Sequence, residues 1–134
     1  MIVDVKTREI VGEGYNQVVG QNDATWHGEV AAIRDAGKRL GRPHLTGTEL
    51  FTSAEPCPMC ACACLWAHID RVHYGALYGD VMEHGGFLDA DFATELSRPN
   101  GERTLMPLEP LLREEAVDVW REFAKIPDSE RPQY

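Results

Sequence analysis

The sequence predicts an α/β fold in which helices cover a sheet whose central strands run parallel. Apolar, β-branched runs alternate with stretches of helical periodicity in the order strand, helix, strand, helix, strand. A length of 134 residues with 43% hydrophobic content fits one core rather than a catalytic domain plus a second module, so residues 1–134 are expected to form a single domain.

Residues 1–5 are apolar and β-branched and begin as if already inside a strand. Thr7, Arg8 and Glu9 make a polar turn, and residues 10–19 return in extended form to close a hairpin. Asn22, Asp23 and Thr25 supply capping groups for a helix over 29–40, where Val30, Ile33, Ala36 and Leu40 recur at helical spacing and Arg34, Asp35, Lys38 and Arg39 face outward. Gly41 and Pro43 end it. Residues 48–53 form a short strand, and Pro58 suits the first turn of a buried, small-residue helix over 59–67. Residues 71–78 are the next strand, 80–86 a loop, 91–96 a short helix and 103–106 a further strand. The last helix, 114–125, carries Val117, Trp120 and Phe123 on its core face, and a polar tail over 126–134 ends in Tyr134.

A net charge of -9 and a pI near 4.9 argue against nucleic acid as a partner, because phosphate contacts need Lys and Arg to displace counterions. A small neutral substrate fits better. No apolar run approaches the roughly 20 residues that cross a bilayer, and no basic segment leads into an apolar one at the start, so no membrane association and a cytoplasmic location are expected. Four cysteines within residues 57–64 are poorly placed to staple distant parts of a fold and read as thiols.

The chemistry lies in His27-Gly28-Glu29 followed by Pro56-Cys57-Pro58-Met59-Cys60. A structural zinc site closes its shell with four protein ligands, whereas His27, Cys57 and Cys60 are three and leave a corner for water. Both groups fall at helix starts, where unpaired N–H groups favour thiolate over thiol. Zinc lowers the pKa of its bound water to about 7. Glu29 lies roughly 200° around a helix from His27, too far to share the metal easily, but it reaches the water as a proton carrier. The competing readings are a thioredoxin-like Cys57/Cys60 pair, or a closed zinc site completed by Cys62, Cys64 or a distant histidine. Cys62 and Cys64 fit better as small buried hydrophobes, and His44, His68, His73 and His84 as surface or satisfied residues. Trp66, on the zinc-ligand helix, is a candidate wall for a planar ring, and Phe87 fits core or pocket.

The paired motifs resemble the signature of the zinc-dependent cytidine deaminase superfamily. The run from Thr52 through Cys60, then Trp66-Ala67, Gly86-Phe87, Trp120-Arg121-Glu122-Phe123-Ala124 and terminal Tyr134, is similar to bacterial guanine deaminases from about Ile10 onward. The resemblance implies a three-layer α/β/α sandwich with a mixed central sheet, cytidine deaminase-like, and hydrolysis of guanine at C2 to xanthine and ammonia with one zinc per chain. It implies that His27, Cys57 and Cys60 hold the metal and that Glu29 is the general acid/base. Asn16 would bind the purine, the Gly28 position would offer a backbone N–H, and Asp89 would contact the purine edge. Trp66 would wall the ring, while Tyr134 would close the pocket on a tail, 126–134, that crosses to the partner of a homodimer.

Related substrates (guanosine, cytosine, ammeline or adenosine in transfer RNA) remain as alternatives, as does a non-catalytic zinc-stabilised binding module. The acidic balance speaks against the transfer RNA. Three departures from the family stand out: the chain begins after the usual N-terminal helix and its Pro-Phe-Gly-Ala lead-in, which is expected to leave one sheet face uncovered; Gly28 replaces the commoner Ala; and Trp26 stands where a small residue is usual.

Overall fold

β1 (Ile2–Asp4) runs at the centre of a mixed four-stranded sheet ordered β2-β1-β3-β4, with β2 being Ile10–Gly12, β3 Thr48–Ala54 and β4 Arg71–Ala76. It pairs antiparallel with both β2 and β3, which places Ile2 opposite Gly12 on one side and Leu50 on the other. β3 and β4 are parallel, and the helix α3 (Pro58–Trp66) makes the crossover between them. The expected parallel pairing of the central strands is corrected: β1 and β3 occupy the centre and pair antiparallel, and the parallel pair lies towards the β4 edge. A computed structural model of the chain describes residues 1–86 and 91–131. These fall into two compact units, Met1–Ala90 and Asp91–Tyr134.

The first unit's core is built where α2 (Gly28–Leu40) packs on β1, β2, β3 and α3. Ile2, Leu50, Leu45, Ala32 and Ala36 are fully buried, with Cys64 and Ala67 from the α3 side closing the cluster. Small residues on α2 let the helix approach the sheet closely, and apolar area removed from water at roughly 25 cal/mol per Å² drives the packing. Gly41, at φ 65°, ends α2 in the left-handed conformation that glycine adopts without a Cβ clash.

The second strand stops at Gly12 rather than running to 19: residues 13–17 leave the sheet to wrap over α2, and α1 (Val18–Gln21) follows. Close approach to α2 forces this path, since a Cβ on Gly12 would lie 2.6 Å from the Ala32 carbonyl oxygen and one on Gly14 2.5 Å from the Ala32 nitrogen. Asn22 to Thr25 do not cap α2; His27 does the job of N-cap, in extended conformation, and Asn22 instead ends α1 at φ 48°.

The expected loop over 80–86 is a helix, α4 (Tyr78–Gly85). Its first amides are held by carboxylates, Leu77 N–H donating to Asp80 at 2.9 Å and Tyr78 N–H to Glu55 at 2.9 Å. Glu55 is 23 residues away, which is why the glycines around α4 read as loop. Cys62 is exposed rather than buried, and so is the end of α3 at Leu65 and Trp66.

The second unit carries α5 (Asp91–Ser97), a 3₁₀ turn (Asn100–Glu102) and α6 (Arg113–Ala124). The strand expected at 103–106 is absent among the described residues, because the amides of Thr104, Leu105 and Met106 all donate to the buried Glu95 carboxylate instead of a neighbouring strand. Trp120 is 69% exposed on α6 rather than core-facing, and makes an edge-to-face contact with Phe123. No helix among the described residues is long and apolar enough to cross a membrane.

Candidate active site

Two helices start at one point, and that brings the three metal-ligating residues together. His27 is the N-cap of α2 (φ -72°, ψ 157°) and Cys57 the N-cap of α3 (φ -63°, ψ 166°). Cys60 follows in the first turn of α3 and is buried. Their donor atoms all lie within 4.8 Å of one another, with Cys57 Sγ 3.6 Å from His27 Nδ1. A tetrahedral zinc with bonds of about 2.1 Å to nitrogen and about 2.3 Å to sulfur holds adjacent corners about 3.6 Å apart. The donor set therefore fits zinc by chemistry and by spacing, with one corner left over.

The two thiols differ. Cys57 is lowered to about 6 by the hydrogen bond from Cys60, with further help from the Cys60 and Met59 amides and the His27 ring against the opposing effect of burial. Cys60 is pushed up by that same hydrogen bond, by burial and by the Glu29 carboxylate. Without metal, the pair at neutral pH is thus one thiolate and one thiol. Metal needs both as thiolates. Zinc binding at pH 7.5 is expected to release one proton from this pair, rising towards two as pH falls below about 6. Calorimetry in buffers of different ionisation enthalpy checks this; release of two protons at pH 7.5 would contradict it.

Glu29, in the first turn of α2, stands beside the donors without being one of them. Its Oε2 lies 3.5 Å from Cys60 Sγ, and its Oε1 accepts from the Thr52 hydroxyl at 3.4 Å. The 200° divergence expected from a helical wheel does not apply, because His27 sits off the helix at the cap. Both side chains reach the same cavity, about 660 Å³, which is the size of a small-molecule site.

Over residues 1–76 the chain matches the family described as the cytidine and deoxycytidylate deaminase zinc-binding region. The chain belongs to this deaminase family. It is 43% identical to the guanine deaminase of Bacillus subtilis across 91% of this chain and 79% of that protein. The solved structure of guanine deaminase from Bacillus subtilis superposes with a TM-score of 0.81 at 39% identity, covering 95% of this chain and 80% of that one. A tRNA-specific adenosine deaminase of Aquifex aeolicus is 35% identical across 90% of this chain and 76% of that protein.

The deaminase keeps Asn16 and Gly28 on the cavity wall with His27 and Glu29. Asn16 Oδ1 accepts from Val18 N–H at 3.1 Å. A Cβ at Gly28 would meet nothing nearer than 3.5 Å, so the commoner Ala is accommodated there. Trp66 is 74% exposed at the end of α3 and does not line this cavity. Asp89, Phe87 and Tyr134 lie outside the described residues.

Cavity residues that the sequence did not single out include Tyr15, Thr52, Tyr78 and Met82. For Thr52 a signal existed: on β3 it shares a face with buried Leu50, the face that α2 covers. Tyr78 and Met82 depend on α4, a helix fastened from a distance by Glu55, and no local pattern marks it.

Proposed function

We propose that this deaminase hydrolyses guanine to xanthine and ammonia. The reading is carried by a three-donor zinc cluster with a separate carboxylate on the wall of one cavity, in a chain that aligns over most of its length with a guanine deaminase. His27, Cys57 and Cys60 hold the metal. Zinc bound there supplies the Lewis acidity that brings a water's pKa to about 7. Glu29, steadied by Thr52, would take one proton from the attacking water and deliver it to a ring nitrogen, then take the second proton from the hydroxyl formed at C2 and pass it to the amine, which departs as ammonia. Water and guanine in, xanthine and ammonia out, balances with no other reactant.

Asn16 and the Gly28 N–H hold the purine, Asp89 reads its edge, and Tyr134 completes the enclosure. We place both compact units in a single deaminase domain. The assembly is a homodimer in which residues 126–134 cross to the partner, so that an exposed Trp66 is covered in the pair. The setting is the cytoplasm, in purine metabolism.

The Aquifex relative favours a second reading, adenosine in transfer RNA, while the net charge of -9 opposes it. Zinc-loaded protein assayed for ammonia against guanine, guanosine, cytosine, ammeline and an adenosine-bearing transfer RNA separates them. Guanine is expected to be the preferred substrate. Preference for the transfer RNA would replace this reading, and silence on every substrate at one zinc per chain would favour a binding module.

A further inference from the structure

Trp26 immediately precedes the metal-ligating His27, and its ring is held in an unusual way. The indole Nε1 is buried and makes no hydrogen bond among the described residues, so stacking and packing alone fix the ring. Arg34, two turns along α2, places its guanidinium 5.1 Å from the ring centroid. The same guanidinium donates to Thr25 Oγ1 at 3.2 Å. Thr25 is fastened in turn, its hydroxyl and its amide both donating to Asp23 Oδ1, at 2.7 Å and 2.8 Å.

The backbone of this turn faces both parts of the site. His27 N–H donates to the Thr25 carbonyl at 2.9 Å, and Trp26 N–H to the Asp23 carbonyl at 3.0 Å, which sets the angle at which His27 meets α2. On the other side the Trp26 carbonyl accepts Gln17 N–H at 3.0 Å, which ties down the segment just after Asn16. One turn thereby positions a metal ligand and a purine-facing residue together.

We propose that Arg34 is a positioning residue, which through Thr25 and the Trp26 ring fixes the 23–26 turn and so sets both His27 for the metal and the Asn16 loop for the substrate. Arg34 touches neither. If the clamp is removed, the turn must be ordered each time metal or purine binds, and the loss appears in those affinities rather than in the chemical step. The substrate half of this inference rests on the guanine reading, whereas the zinc half does not.

The test compares Arg34→Ala, Arg34→Lys and Trp26→Phe with the parent full-length protein. Zinc affinity is read by chelator competition, and KM and kcat with guanine on zinc-saturated enzyme. Arg34→Ala should weaken zinc roughly fivefold and raise KM by a similar factor, about what an exposed cation–π contact is worth, with kcat within about twofold. Arg34→Lys should fall between, since it keeps charge without the planar group, and Trp26→Phe, which keeps a ring under Arg34, should stay near the parent. Unchanged zinc affinity and KM in Arg34→Ala would overturn the proposal, including the case where only the melting temperature falls. If guanine is not the substrate, the zinc comparison still decides the question.

Discussion

Replacing Glu29 by Gln is expected to lower guanine turnover by about 10²–10⁴-fold, the range that loss of a positioned acid/base group removes. Glutamine keeps the length of the side chain and an oxygen for the Thr52 hydroxyl, so the local geometry at β3 survives. It cannot carry a proton. Zinc should remain bound, because the donor cluster consists of His27, Cys57 and Cys60 without Glu29. Steady-state kinetics beside metal analysis check both halves, and KM should move much less than kcat. A Glu29→Gln enzyme with parental kcat would remove the proton carrier from the mechanism.

Adding one methyl at Gly14 is expected to be the most damaging small change away from the metal. A Cβ there would lie 2.5 Å from the Ala32 nitrogen, 2.7 Å from the Ala31 Cβ and 2.7 Å from the Gly28 carbonyl oxygen. Two of these three are backbone of α2 and cannot rotate aside. The 13–17 loop must therefore lift from the start of α2, at a cost of about 1–3 kcal/mol by analogy with overpacked cores. Tyr15 and Asn16 line the cavity on that loop, so KM for guanine should rise along with the loss of stability. Urea denaturation and kinetics on Gly14→Ala read the two effects. A variant as stable as the parent would mean that the loop is not pinned to α2.

Signals that are local in the chain were legible, and those that span it were not. Pro58 and the Cys57-x-x-Cys60 spacing announce a helix start with ligands on it, and the structure has α3 begin at Pro58 with Cys57 as its cap. His27 at the start of α2 follows from the same kind of pattern, although the cap is His27 itself and not the Asn22 to Thr25 stretch. The parallel pairing of β3 and β4 follows from a helix lying between them. Gly12 and Gly14 look like ordinary strand residues in the sequence, because their need for glycine arises from α2, some twenty residues on. α4 has no local signal for the same reason, its first turn being held by Glu55. At 103–106 a β-like run was diverted by one buried carboxylate, Glu95, that no periodicity reveals.

The zinc cluster, Glu29 and the cavity they share are the core of the account. Titrating zinc into metal-free protein while following ammonia and xanthine released from guanine tests it directly. Both products should rise together in proportion to added zinc and level off at one equivalent per chain. Turnover that is complete without zinc, or absent at one equivalent, would contradict the account.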